Sequence, residues 1–177
     1  MIGSLFQIAG LAASIAIGLV FLVAGIDKLR HRALLPGVIA NYRLLPTPLV
    51  APAALLLPLI ELLVAAGLLA GNRPAAPLAA IALLLVFAGA MAINIRRGRT
   101  AIDCGCGHSG LRQSLGWGLV GRNLLFALAL GLRLAAGTEL AMADVVIGVV
   151  AGLASFLLMQ MFTVINALPA RRYGTQG

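Results

Sequence analysis

Two cysteines separated by a single glycine, Cys104 and Cys106, are the residues of this sequence best suited to chemistry. A disulfide between them would close a small ring, for which Gly105 supplies the backbone freedom. Departure from relaxed geometry makes a disulfide easier to reduce, which suits thiol–disulfide exchange rather than a structural disulfide. Basic neighbours favour the thiolate, protonated His108 does the same, and Asp103 opposes them. The motif therefore predicts a redox-active pair whose thiolate His108 modulates.

Two other interpretations of this segment stay open. Cys104, Cys106 and His108 carry the thiolate and imidazole ligands that suit zinc or copper(I). A closed zinc site needs four ligands, however, and Asp103 stands beside Cys104, where it is awkwardly placed to complete a tetrahedron. The other interpretation is that both thiols are inert residues. We expect redox activity and no resident metal, with metal binding as the alternative.

A second set of polar residues lies inside apolar stretches of the chain. Glu61 stands near the middle of one stretch, and an ionisable residue in hydrocarbon is costly enough to indicate function by default. Arg122, about two turns into another stretch, is the expected partner of Glu61. Asn94 and Asn123 are expected to form hydrogen bonds between helices. We predict that these residues support the site, although an ion pair that only fixes helix register explains Glu61 equally well.

The elements that must position these residues follow from the composition. Of 177 residues, 62% are hydrophobic and 10% are charged, whereas roughly a quarter of a soluble domain is charged. This excludes an ordinary soluble enzyme, a disordered chain and a secreted disulfide scaffold. Five stretches are long enough to cross about 30 Å of hydrocarbon. They are approximately residues 5–26, 51–71, 75–95, 115–136 and 143–167.

Residues 1–177 are therefore predicted to form a single all-α integral membrane domain, a bundle of about five spans plus one interfacial helix. Segment 30–50 is interrupted by prolines, yet an apolar stripe at helical period is typical of a helix that lies along the interface. Residues 96–114 form the polar loop that carries the cysteines. Two small-xxx-small pairs permit close helix contacts, Gly67/Gly71 and Gly148/Gly152, but twenty-one glycines make such spacings common by chance.

The net charge of +8 is concentrated between the apolar stretches. This distribution predicts contact with anionic lipid, whereas nucleic-acid binding would need a solvated basic face. With five spans, the basic residues fall mainly on one side, so the positive-inside rule predicts an outside N-terminus, with the cysteine loop and the C-terminus in the cytoplasm. The residues on that side are Lys28, Arg30, Arg32, Arg43, Arg96, Arg97, Arg99, Arg112, Arg171 and Arg172.

Short segments spread along the chain match a known pattern, namely residues 24–29, 42–46, 58–61, Asn94, 97–98, 103–106 and 122–123. In this order and spacing they resemble the MauE family of methylamine-utilisation membrane proteins, which is related in architecture to DoxX-like membrane proteins. The resemblance extends over most of the chain, and Cys-Gly-Cys is its most diagnostic part. One departure is that the family pattern usually continues Cys-Gly-Cys-Phe-Gly, whereas Gly107 and His108 follow here.

The resemblance implies a redox-associated protein of the bacterial inner membrane. It implies a role in disulfide formation of a periplasmic client such as the methylamine dehydrogenase small subunit, with a thioredoxin-like partner of the MauD type. Cys104 and Cys106 would then exchange through a mixed disulfide, and a membrane quinone is one candidate electron acceptor. A periplasmic client conflicts with the charge count, which places the thiols inside. A non-catalytic assembly factor, or a small transporter dependent on Glu61 and Arg122, also stays open.

Overall fold

The computed structural model describes residues 2–100, 115–135 and 141–167, and in these residues every regular element is a helix. Five of the six helices are long and apolar enough to cross a membrane. The remaining helix, α2, has eight residues. Its length of about 12 Å is too short to cross a membrane. The predicted all-α bundle is confirmed. Its helices are α1 Ile2–Arg30, α2 Leu35–Tyr42, α3 Thr47–Leu69, α4 Ala75–Arg96, α5 Trp117–Ala135 and α6 Met142–Ala167.

The chain reverses around α2 through residues whose backbone preferences suit a break. Pro36 stands in the first turn of α2, where its missing N–H breaks no helical hydrogen bond. Arg43 ends the helix with a left-handed φ of 50°, and Pro46 precedes α3 in an extended conformation. α2 therefore lies within predicted segment 30–50, and its position at the membrane interface stays a prediction.

Helix α1 organises the bundle because it packs against α3, α5 and α6. Helix α4 packs mainly against α5 and also contacts α3. The main core cluster takes Ile17 and Phe21 from α1, Ala65 from α3, Leu84 from α4 and Leu130 from α5. The core is thus shared by four of the spans, while α6 is attached to the outside of α1.

Two glycines allow α6 to approach α1 closely. A Cβ atom added to Gly148 would lie 2.8 Å from Leu11 Cδ2, and one added to Gly152 would lie 2.7 Å from Ile15 Cβ. At distances under 3.0 Å the neighbouring atom would have to shift, which the end of the Leu11 side chain can do more easily than Ile15 Cβ. Gly148 and Gly152 are therefore a contact surface, although their spacing alone was weak evidence in the sequence. The other pair is not one: a Cβ atom at Gly67 would lie 2.8 Å from Ala76 Cβ, but Gly71 follows the end of α3 and a Cβ atom there would meet nothing within 4 Å.

Helix order brings several chain ends together at one end of the bundle, here called the α2 end. It contains α2, the C-terminal ends of α1 and α4, and the N-terminal ends of α3 and α5. Arg97 Nη1 donates a hydrogen bond to the Arg43 carbonyl at 3.5 Å, which links the end of α4 to the end of α2. Residues 101–114, between α4 and α5, are attached at this end.

Candidate functional site

The four residues of the predicted thiol site, Asp103, Cys104, Cys106 and His108, lie outside the described residues. The structure does describe the two residues that flank their segment, Thr100 and Leu115, here called the base of the cysteine segment. The Leu115 N–H donates to the Thr100 carbonyl at 3.0 Å, so the two ends of the segment meet. Leu115 is buried in a second core cluster with Met91 of α4. The segment therefore leaves and re-enters the bundle at one packed point of the α2 end.

Glu61 forms a buried ion pair with Lys28, so the expected pairing with Arg122 is wrong. Lys28 Nζ lies 2.9 Å from Glu61 Oε1, and the two side chains are 8% and 1% exposed. The pairing arises because α1 continues as helix to Arg30, which places Lys28 on the face that packs against α3. Arg122 lies in the second turn of α5, and its Nε has no hydrogen-bond partner among the described residues.

The ion pair keeps unused hydrogen-bonding capacity. Glu61 Oε2 is buried and has no hydrogen-bond partner among the described residues. The Lys28 ammonium, a triple donor, lies 5.9 Å from the ring centroid of Phe87, within the range of a cation–π contact. Burying two charges is costly. A buried pair with unused donors and acceptors therefore indicates either an ion pair that fixes helix register or a group that binds a ligand or a proton.

Asn94 and Asn123 are buried, at 0% and 5% exposure, but they do not form the expected hydrogen bonds between helices in the described part of the chain. Asn94 Nδ2 donates to the Ala90 carbonyl at 3.1 Å, and Asn123 Nδ2 donates to the Leu119 carbonyl at 2.9 Å. Both bonds are made to the residue four positions earlier in the same helix. Each buried side-chain amide therefore has a hydrogen-bond acceptor in its own helix and needs none on a neighbouring helix, which explains the difference.

Asn94 has one further contact that connects it with the cysteine segment. Its Oδ1 accepts a hydrogen bond from Arg99 Nη1 at 3.4 Å, and the Arg99 N–H bonds the Asn94 carbonyl at 3.0 Å. These bonds hold the turn that follows α4, immediately before the segment. Asn94 is therefore well placed to fix the direction in which the segment leaves the bundle.

A cavity that the sequence did not reveal lies between α2, α3 and α4, beside the ion pair. Its volume is about 280 Å³, and Lys28 is the one charged residue among the described residues that line it. Tyr42 at the end of α2 and Phe87 of α4 add aromatic wall, and the rest is aliphatic. The site at the α2 end thus combines a buried ion pair, an apolar cavity and the base of the cysteine segment.

These features define a class of protein, a polytopic helical membrane protein with a charged pair inside its bundle and, at the same end, the two residues that flank a segment with the sequence Cys-Gly-Cys. The family model described as "Methylamine utilisation protein MauE" matches residues 6–136. The chain belongs to that family, as the resemblance predicted. No solved structure matches the chain.

Curated relatives support this assignment over most of the length. The chain is 42% identical over 164 residues to "Methylamine utilization protein MauE" of Paracoccus denitrificans, covering 90% of this chain and 88% of the relative. It is 43% identical over 159 residues to the protein of that name from Paracoccus versutus, covering 88% and 86%. A third, from Methylorubrum extorquens, is 49% identical over 107 residues, covering 60% and 58%.

Proposed function

We propose that this chain is a thiol–disulfide redox protein of the bacterial inner membrane that acts in methylamine utilisation. It supports disulfide formation in a periplasmic client such as the methylamine dehydrogenase small subunit, and it acts with a thioredoxin-like partner of the MauD type. The observation that carries the proposal is the Cys104-Gly105-Cys106 motif in a chain of this family. The closed base of the segment supports it, because it attaches the motif at one point of the bundle.

The exchange balances as two thiol–disulfide steps. A thiolate of the reduced partner attacks the Cys104–Cys106 disulfide, which gives a mixed disulfide and frees one of the two cysteines as a thiolate. The second thiol of the partner then attacks the mixed disulfide. The partner leaves oxidised, and Cys104 and Cys106 are left as a dithiol that an electron acceptor must reoxidise. His108 modulates the thiolate, and Asp103, Glu61, Arg122, Asn94 and Asn123 support the site.

Serine variants of the two cysteines test this chemistry. We expect Cys104→Ser, Cys106→Ser and the double variant to reduce methylamine dehydrogenase activity to the level of a strain that lacks the chain, because no disulfide can form within the pair. His108→Gln should lower activity only a few-fold, since His108 modulates the thiolate without forming a bond. Chain abundance in membranes, measured by immunoblot, is the control for folding.

The same variants separate the alternatives. Full dehydrogenase activity of the double cysteine variant at normal abundance would exclude thiol chemistry, and metal binding by Cys104, Cys106 and His108 with it. A non-catalytic assembly factor would then remain if Glu61→Gln were also fully active. A small transport protein would be favoured if Glu61→Gln and Arg122→Gln abolished activity while the cysteine variants did not.

The orientation of the chain decides whether Cys104 and Cys106 can exchange directly with a periplasmic partner, and thiol labelling tests it. The basic residues of the α2 end favour that end in the cytoplasm, with the N-terminus outside. With that orientation, a membrane-impermeant maleimide should label Cys104 and Cys106 only in cells that are both permeabilised and reduced, and the pair could not exchange directly with a periplasmic partner. Labelling from outside, after reduction of intact cells, would reverse the orientation and bring the pair directly to a periplasmic client.

A further inference from the structure

The cavity between α2, α3 and α4 has the size and lining of a small-molecule site. Its volume of about 280 Å³ is close to the lower end of the range for ligand pockets, roughly 300–1,000 Å³. Ile39 of α2, Leu57 of α3 and Met91 of α4 form apolar walls. Val86, which also lines the cavity, is 64% exposed on the outer face of α4. The cavity therefore communicates with the lipid around the bundle, from which an apolar ligand can enter.

The charge at the cavity wall restricts the chemistry of that ligand. Lys28 is more than nine-tenths buried, and within the described part of the chain its ammonium has one hydrogen-bond acceptor, Glu61. Two N–H donors are thus left for a ligand. Glu61 has already neutralised the Lys28 charge, so an anionic ligand would meet a buried carboxylate 2.9 Å behind its cation. A neutral hydrogen-bond acceptor on an apolar body fits both conditions.

From these features we propose that the cavity binds the ring of a lipid-soluble quinone, with a ring carbonyl that accepts a hydrogen bond from Lys28. A flat ring fits between the aliphatic walls and Phe87, and an apolar tail passes by Val86 into the lipid. Glu61 is a positioning residue, because it holds the ammonium through Oε1. The carbonyl oxygens of the ring are neutral acceptors, and the rest of the ring is apolar.

This inference rests on the proposed function, for which it supplies the electron acceptor. The dithiol and the quinone react to give the Cys104–Cys106 disulfide and the quinol. The two electrons pass from the thiols to the quinone ring, and the two thiol protons pass to its two oxygens. The arrangement of the bundle supports this coupling. Met91 lines the cavity and also packs with Leu115, the first described residue after the cysteine segment.

Binding of decylubiquinone to the purified chain in lipid nanodiscs tests the site. We expect saturable binding, and a photoreactive azidoquinone should label peptides of α2 or α4 in competition with decylubiquinone. Ala90→Phe places a ring inside the cavity, since Ala90 lines it, and should weaken binding at least about tenfold. Ala82→Phe is the matched control, because Ala82 is exposed on the same helix and does not line the cavity.

The polar part of the site is tested by removing both charges together. Lys28→Met/Glu61→Leu leaves no unpaired charge and should weaken decylubiquinone binding about tenfold through loss of a charged donor. Equal binding by wild type, Ala90→Phe and the double variant would refute the site. Saturable binding of radiolabelled palmitate, with none of decylubiquinone, would assign the cavity to a fatty acid and equally refute it.

The same assay separates failure of this site from failure of the proposed function. Decylubiquinone should bind Cys104→Ser/Cys106→Ser as it binds wild type, because the described residues that line the cavity all precede the cysteine segment and the proposed hydrogen bond to Lys28 needs no thiol. If it binds while that variant supports full dehydrogenase maturation, the site stands and the thiol function fails. If the cysteines are required but no quinone binds, the thiol function stands and this inference is overturned.

Discussion

Lys28→Met is expected to lower the free energy of unfolding by about 3–5 kcal/mol, because it leaves Glu61 as an unpaired charge inside the bundle. Glu61 is 1% exposed, and Lys28 Nζ at 2.9 Å is its one ion-pair partner among the described residues. Lys28→Met/Glu61→Leu should recover most of this loss, because apolar residues of similar volume often replace a buried ion pair without cost. Unfolding in detergent, followed by loss of helical circular dichroism, measures both effects.

Arg30→Met is the matched control for the loss of charge. Arg30 lies in the last turn of the same helix, but it is exposed, so its removal should change stability by less than about 0.5 kcal/mol. If Lys28→Met were as stable as Arg30→Met, the pair would contribute little to the fold. If the double variant were no more stable than Lys28→Met, the loss would come from packing of the lysine stem instead.

The double variant also separates the two roles that the sequence left open for Glu61. A pair that only fixes the register of α1 against α3 is replaceable by apolar residues, so dehydrogenase maturation should return together with stability. If stability returns without maturation, the charges themselves are used, for hydrogen bonding to a ligand or for handling a proton. The quinone site proposed here predicts the second result.

The five spans were predictable because each is fixed by a long, predominantly apolar run. The third span illustrates this: the sequence predicts 75–95, and the helix is Ala75–Arg96. Bundle arrangement was harder to foresee, since lipid-facing and core-facing residues are both apolar. Leu63 and Val64 are neighbours in α3, yet one is 73% exposed and the other 5%. Composition therefore predicts that a segment spans the membrane and says little about which helix it contacts.

Lys28 was missed as the partner of Glu61 because the first span was ended at its last apolar residue. The helix continues to Arg30, and Lys28 lies on the same face as the buried residues that precede it. The buried positions of α1 lie on one helix face, at intervals of three or four residues apart from the adjacent Ile17 and Gly18, and Lys28 continues this face past the apolar run. They are Gly10, Ser14, Ile17, Gly18, Phe21, Gly25 and Lys28.

The cysteine motif and the cavity are opposite cases. Cys104, Cys106 and His108 were identified from residue type and spacing alone, and they remain sequence predictions because they lie outside the described residues. The cavity has no local signature, since its walls come from aliphatic residues of separate helices. Only their packing around Lys28 and Phe87 distinguishes them from the rest of the apolar sequence.

Gly152→Leu is expected to separate α6 from α1, because even a Cβ atom at this position has no space. It would lie 2.7 Å from Ile15 Cβ and 2.8 Å from the Ala12 carbonyl oxygen, and a backbone atom cannot move aside as a flexible side chain can. The smaller change Gly152→Ala should already lower the free energy of unfolding by about 1–3 kcal/mol through overpacking. Detergent unfolding of both variants measures the effect.

Gly89→Ala provides the control, because Gly89 lies in α4 and a Cβ atom there would meet nothing within 4 Å. It should leave stability unchanged or raise it by about 0.5–1 kcal/mol, the usual gain when alanine replaces glycine inside a helix. Equal stability of Gly152→Ala and Gly89→Ala would show that α6 is not held at this contact. The family match ends at residue 136, before α6 begins at Met142. Dehydrogenase maturation by a stable Gly152→Leu chain would therefore show that α1 to α5 carry the function and that α6 is accessory to it.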